Sequence, residues 1–401
     1  MALSSETQWR NPYVGPRPFR PGEAFYGRDR ELSQLIDLLF ADGFVLLQAP
    51  SGAGKTSLVQ AGLVPRLLAE ERFDVLPVAR IRNYPEFAAA NPYVLSVLLS
   101  FEADRPLGEL AEIDLHSYLD DRRERRGKAD SQVLIFDQLE ELLSNPIDHA
   151  EKTAFMLEVG NTLRRGRRWA LFVAREEYIG PLHRYLEALR LPLSTFRLEF
   201  MAQSAARHAI QDPARAVGVD FSEGAITTLV DDLRQMLMQR PDGTTDIVLG
   251  PHLDPVQLQI VCRQLWRQLR PNTKVIKTSH LSAVGGATSA LADYYSDQVT
   301  HIATQTDVSE RTIREWFEFS LITPQGFRSQ ALLGPGGDKS SQVLSLLQES
   351  YLVRADHRRG AIWFELAHDR LIEPVRISNI SWREHHPGTR RSRRIWKKSS
   401  G

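Results

Sequence analysis

The sequence predicts a three-layer α/β fold, a parallel sheet covered by helices on both faces, and three observations carry that expectation. Between residues 43 and 200 short apolar runs alternate with helical spacing, the pattern of a parallel sheet buried on both sides. The first run, Phe44 to Gln48, passes through APSGAGKTS, a loop nearly bare of side chains, into a helical pattern. Beyond residue 203 strand signals stop and helical patterns take over.

In chain order, the candidate strands are Phe44 to Gln48, Val75 to Ile81, Val133 to Phe136, Trp169 to Ala174 and Phe196 to Phe200. Leu58, Val59, Leu63 and Leu67 give Thr56 to Leu68 a helical apolar stripe. Residues 203 to 304 read as helices broken by PDGTTDIVLGPHLDP and HLSAVGGATS, both rich in turn formers. Then come a helix over Glu310 to Phe319, the loop GPGGDKSS, and a helix over Val343 to Glu349. YLVRADHRRGAIWFEL follows, two apolar runs around a charged, Gly-ended turn, hence a hairpin. Helices ending in a hairpin read as a winged helix. The expected division is an α/β domain over 1–202, a helical domain over 203–305, a winged helix over 306–380 and a basic tail over 381–401.

Composition narrows the class. The chain has 401 residues, 42% hydrophobic and 25% charged, enough for a large core in two or three domains. Lys+Arg and Asp+Glu are both 50, so no overall charge draws it to nucleic acid or membrane. The one cysteine, Cys262, excludes an internal disulfide and a cysteine-cluster metal site, fits a reducing cytoplasm and reads as a core residue. MALSSETQWRNPY lacks the layout of a signal peptide, and no uncharged apolar run nears the roughly 18 residues that span a bilayer. The expected location is the cytoplasm.

The bare loop points to a phosphate. Without side chains its backbone N–H groups close around an anion, and the following helix adds its positive end. Pro50, Ser51, Gly52, Ala53, Gly54, Lys55, Thr56 and Ser57 are the candidate cradle. The pattern G-x-x-x-x-G-K-[S/T] is met at Gly54, Lys55 and Thr56, with Ala49 in place of the first glycine. Alanine can end a strand, while Gly52 and Gly54 keep the backbone freedom the cradle needs. A magnesium partner is expected at Asp137, delivered by Val133 to Phe136 to the carboxyl edge of the sheet. Mg²⁺ would then sit among Thr56, phosphate oxygens and Asp137.

Residue 138 bears on turnover. Strong ATPases of the AAA+ type place a glutamate directly after this aspartate, and here it is Gln138. Glu140 and Glu141 follow, on the first turn of a helix if one starts at 138, and either is a candidate to polarise water or simply to favour a helix N-terminus. Slow hydrolysis is expected, which suits a switch. Arg175, ending the fourth strand, is a candidate γ-phosphate contact, the plain alternative being a surface ion pair with Glu176 or Glu177.

Taken in order, NPYVGPRPFRPGEAFYGRDRE, QAPSGAGKTSLVQAGLVPRL, LIFDQLEELL, FVAREEY, LDPVQLQIVCRQLW and WFELAHDRLIEP resemble the bacterial novel STAND NTPases. The resemblance runs over about residues 11 to 380. It implies a P-loop domain, a helical lid and a winged helix closing over one ATP or ADP. It also implies that Phe25, Tyr26, Gly27 and Arg28 border the adenine, that Pro255 packs on the base, and that His368, followed by Asp369, contacts the β-phosphate of ADP in a closed state. The plain alternative for His368 is a capping or core histidine. Family members usually join such a switch to an effector and a long sensor, so both are expected in other proteins or in further parts of a longer chain. Self-association in the ATP state is expected.

Nucleic acid is the less favoured partner. The reading of a DNA-binding AAA+ initiator or loader needs a basic recognition element, and SQVLSLLQES has no positive residue. The wing, RADHRRG, holds three arginines, enough for backbone contact only. The tail TRRSRRIWKKSSG reads as a solvated end with some capacity for anionic partners, and RRERRGK, residues 122–128, reads as a surface loop. A metabolic kinase would need a small-substrate pocket, which nothing beyond the first domain indicates.

Overall fold

The computed structural model describes residues 10–69, 73–81, 91–102, 104–126, 131–144, 149–239, 245–332, 340–358 and 361–386. Contacts divide the chain into two units, Met1–Cys262 with Arg270–Lys277, and Arg263–Leu269 with Thr278–Gly401.

The first unit is built on a six-stranded sheet of β1 (Phe44–Ala49), β2 (Phe73–Val75), β3 (Ala79–Arg80), β4 (Ser131–Asp137), β5 (Arg168–Arg175) and β6 (Ser194–Arg197). The order is β2-β4-β5-β1-β6, with β3 also beside β4, and every pairing is parallel. All seven residues of β4 are buried, as a strand covered on both faces requires. Alternation along it sorts side chains between two cores. Val133 and Ile135 pack with Leu35, Leu39, Leu58 and Leu63 on one face, and Leu134 and Phe136 pack with Tyr93, Leu98 and Phe155 on the other. The three expected layers are present.

Several elements depart from the sequence reading. The expected strand Val75 to Ile81 is two short strands, because Pro77 lies between them and cannot donate to a ladder. The last strand runs over Ser194–Arg197, earlier than expected, although Leu198 N still bonds Gln48 O at 2.8 Å. RRERR is the end of a helix, Leu115–Arg126, rather than a loop. There Arg122 is buried and grips Asp74 with Nε–H and Nη2–H at 2.9 and 3.1 Å; positions 127–128 lie outside the described residues. Strands also persist beyond residue 203. Gln235–Gln239 pairs antiparallel with Thr245–Leu249, and two-residue ladders join Met201–Ala202 to His252–Leu253 and Asp220–Phe221 to Val275–Ile276. Apolar runs flanking PDG are a hairpin signature, overridden in the sequence by the wealth of turn formers. Between these strands lie the helices Gln203–Ala216 and Glu223–Arg234. Pro255–Gln268 follows and crosses the division between the units.

In the second unit Gly286–Gln305 packs on Ile372–His385, with Trp316, Phe317 and Tyr295 fully buried. The helix Glu310–Ser320 ends one residue beyond the expected Phe319, and Ser340–Glu349 begins three residues before Val343. Val353–Arg358 and Ala361–Leu366 form the expected hairpin. Positions 333–339, 359–360 and the basic tail fall outside the described residues.

Candidate functional site

The bare loop lies at the carboxyl edge of the sheet. Gly52 and Gly54 have φ of 84° and 94°, left-handed values that a Cβ strains. Ala49 is still in β1 and needs no such freedom. Behind the loop Lys55–Ser57 runs into a π-helical stretch, Leu58–Leu63, and then Val64–Leu68, with Val64 N bonded to Val59 O. That register shift immediately precedes Pro65, which has no N–H to offer. The first-turn N–H groups of such a run lack intrahelical acceptors, and they belong here to Lys55, Thr56 and Ser57.

Lys55 reaches back across the loop, donating from Nζ to the carbonyls of Ala49 at 2.9 Å and Pro50 at 3.1 Å. Burial pushes its ammonium down to about 8, partly opposed by Glu140 and reinforced by Arg175. A buried cation satisfied by two neutral carbonyls fits an anionic ligand. Other members of the predicted cradle fix its shape: Pro50 O also accepts from Ala53 N at 3.3 Å, and Ser57 Oγ accepts from Phe19 N at 3.2 Å.

Thr56 Oγ1 donates to Asp137 Oδ2 at 3.2 Å, and Gln138 N donates to Oδ1 at 3.0 Å. Burial raises the Asp137 carboxyl against the lowering effects of Arg80, Thr56, Gln138 and Lys55. A hydroxyl beside a carboxylate is an oxygen donor pair suited to Mg²⁺. Among the described residues no group of three or more His, Cys, Asp or Glu could hold a metal alone.

The segment after Asp137 turns sharply instead of starting a helix. Gln138 has φ of 59°, Leu139 N bonds Val173 O at 2.9 Å, and the helix Glu141–Ser144 begins three residues later than 138. This separates the two glutamates. Glu141 faces solvent, whereas Glu140 is buried, its Oε1 lying 3.2 Å from Arg175 Nε and its Oε2 accepting from Arg175 N at 3.3 Å. Arg175 thus pairs with Glu140, not with Glu176 or Glu177, and Glu176 pairs instead with Arg197. Burial raises the Glu140 carboxyl.

Phe25 and Tyr26 are half-buried, and Phe25 meets the Phe19 ring edge-on at 5.2 Å. Phe25, Arg28, Asp29, Leu32, Gly62 and Pro65 line much of a cleft of about 230 Å³. Gly27 has φ of 80°, and a Cβ there would lie 2.4 Å from Ala205 O, so only glycine fits against the helix Gln203–Ala216. Arg28 is buried and spends its guanidinium on Glu31 Oε1 at 2.6 Å, Ala53 O at 3.0 Å and Glu199 O at 2.9 Å. Its side chain braces the loop.

Pro255 is the first residue of its helix, a position that suits proline. Asp254 just before it was missed by sequence reasoning. Its Oδ1 accepts from Val256 N at 2.7 Å and Gln257 N at 3.4 Å, and its Oδ2 lies 3.6 Å from where a Gly52 Cβ would stand. Aspartate ahead of an N1 proline is a capping signal the sequence did offer. In the second unit, His368 Nδ1 accepts from Arg370 N at 3.1 Å, the capping role weighed above. An accepting Nδ1 leaves the proton of the neutral ring on Nε2.

The profile of the family described as Novel STAND NTPase 1 matches residues 12–393. No curated protein matches. Among solved structures, a Walker-type ATPase of Pyrococcus abyssi is similar at 14% identity, 90% of this chain, 98% of that chain and TM-score 0.47. The ORC2 protein of Aeropyrum pernix in ADPNP–ADP complexes is similar at 16% identity, 90% of this chain, 96% of that one and TM-score 0.43. The family match spans nearly the whole chain and agrees with a parallel sheet bearing a glycine-opened loop, a buried lysine and a threonine–aspartate pair. The chain is a Novel STAND NTPase 1 family member, a P-loop NTPase by its loop and sheet.

Proposed function

We propose that this chain is an ATP/ADP-operated molecular switch with slow hydrolysis, in which the terminal phosphate decides how its domains are arranged and whether copies assemble. The observation that carries the reading is the buried Lys55 held across a glycine-opened loop beside the Thr56–Asp137 pair. Lys55 and the N–H groups of residues 52–57 bind the β- and γ-phosphates. Thr56 and Asp137 would hold Mg²⁺, which would supply charge neutralisation for the phosphates. Phe25, Tyr26 and Pro255 border the adenine, with Gly27 and Arg28 fixing the strap that carries two of them.

Slow turnover follows from the groups around the attack position. Gln138 has no base to offer, Glu141 faces solvent, and Glu140 is tied to Arg175. Arg175 can meet a γ-phosphate only by loosening that ion pair, which makes it a reporter of the triphosphate. Residues 203–305 act as lid and 306–380 as winged helix, and His368, with a donor on Nε2, latches onto the β-phosphate of ADP in the closed form. ATP opens the switch to the extent that it binds the open form better. Initiator-type DNA binding is the less favoured reading, resting on the wing arginines alone. Arg354 of the wing is turned onto Glu365.

Sedimentation of purified protein in Mg·ADP and in Mg·ATP tests the switch. A monomer in ADP and a larger assembly in ATP are expected, with Lys55→Ala monomeric in both. His368→Ala should release ADP at least about tenfold faster, the loss of one charge-assisted hydrogen bond. Equal mass in both nucleotides would refute the switch.

A further inference from the structure

Asp137 lies between two guanidinium-bearing strands, and the sheet register shows it. Arg80 ends β3 directly opposite Asp137 on β4, following the pair Ala79 and Phe136. In-register residues of parallel strands share a face. Ala79 and Phe136 belong to one core, so Arg80 and Asp137 project from the opposite face, the one on which Ile135 and Val133 meet the helix behind the loop. Arg175, in register with Ala49, ends β5 on that same face. Arg175 has Glu140 as a counter-charge. Arg80 has its backbone pinned from both sides, its N–H donating to Ser100 Oγ at 3.2 Å and its carbonyl accepting from Ser96 Oγ at 2.8 Å. Both serines lie on the helix Pro92–Phe101.

We propose that Arg80 is a positioning residue for the divalent cation, a resident counter-charge for Asp137 that makes metal binding conditional on nucleotide. A cation approaching the Thr56–Asp137 pair alone meets the charge of Arg80, the register neighbour of Asp137, and among the described residues no group of three or more His, Cys, Asp or Glu stands ready to hold it. Phosphate oxygens supply the missing negative charge, complete the oxygen shell and give the guanidinium an acceptor. Metal therefore enters with nucleotide and leaves with it. Pinning by Ser96 and Ser100 keeps the arginine at the sheet edge whichever anion it faces.

This rests on the nucleotide and metal roles proposed above, and the test separates the two. Mn²⁺ is titrated by calorimetry into the full chain without nucleotide and with saturating ADP, for wild type, Arg80→Gln and Arg80→Lys. Wild type and Arg80→Lys should bind Mn²⁺ far more weakly without ADP than with it, and Arg80→Gln should bind Mn²⁺ alone at least about tenfold tighter than wild type. Indistinguishable Mn²⁺ affinities in wild type and Arg80→Gln, whether both bind or neither does, overturn the role of Arg80. Wild-type Mn²⁺ affinity that ignores ADP overturns it too, should the glutamine variant fail to fold. ADP uptake in Mg²⁺ is measured alongside: its absence sinks the nucleotide reading itself, whereas ADP uptake with unchanged Mn²⁺ affinity sinks only Arg80.

Discussion

Lys55 is the residue whose protonation can be followed most cleanly. Burial holds its ammonium at about 8 in the folded protein, below the ordinary lysine range. Between about 8 and that range the unfolded chain binds more protons than the folded one, so the cost of burying the charge is full below pH 8 and is relieved as pH rises. A bound polyphosphate stabilises the ammonium, so above pH 8 binding must take up a proton. ADP affinity is expected to hold steady up to about pH 8 and then fall toward tenfold per pH unit. Calorimetry at stepped pH checks it, with Lys55→Arg removing the slope; a flat wild-type profile would show that Lys55 does not face the phosphates. Lys55, Thr56 and Asp137 were legible because the phosphate loop and the strand that ends in Asp137 carry their own local chemistry. Arg80 was not, since only the β3–β4 register places it opposite Asp137. The partner of Arg175 was hidden too, because the left-handed turn at Gln138 redirects Glu140.

At the scale of elements, the close approach of the helix His149–Arg164 to the end of Ile179–Ala188 depends on one glycine. A Cβ on Gly160 would stand 2.0 Å from Leu189 O and 2.7 Å from its carbonyl carbon, and backbone atoms cannot step aside as a flexible side chain can. Gly160→Ala should destabilise the first unit by about 2 kcal/mol or more, despite alanine's better helix propensity. Urea unfolding followed by circular dichroism measures it, and an unchanged midpoint would contradict this packing. The central strands were readable from sequence because burial on both faces makes them continuously apolar, as in Val133 to Phe136. The edges were harder. Pro77 splits an apolar run that looks unbroken, and the arginines of RRERR look like a solvated loop until Asp74 is brought to Arg122 from another strand. The first break is local, since proline cannot donate to a ladder; the second depends on pairing between distant segments, which local pattern does not encode.

At the scale of the whole molecule, the family was legible because six motifs fall in a fixed order, and the profile match over residues 12–393 bears that out. Equal numbers of acidic and basic residues, 50 of each, leave specificity to local sites rather than to a long-range field. Among the described residues no helix is long and apolar enough to cross a membrane. What joins the domains is, on the proposal above, a small ligand read by side chains from several of them. The most direct measurement is calorimetric titration of ADP and of ATP, each with Mg²⁺, into the folded full chain and into Lys55→Ala. Both nucleotides should bind wild type with a stoichiometry of one and neither should bind the variant. A wild-type chain that takes up neither, or a variant that binds as wild type does, would contradict a phosphate grip centred on Lys55.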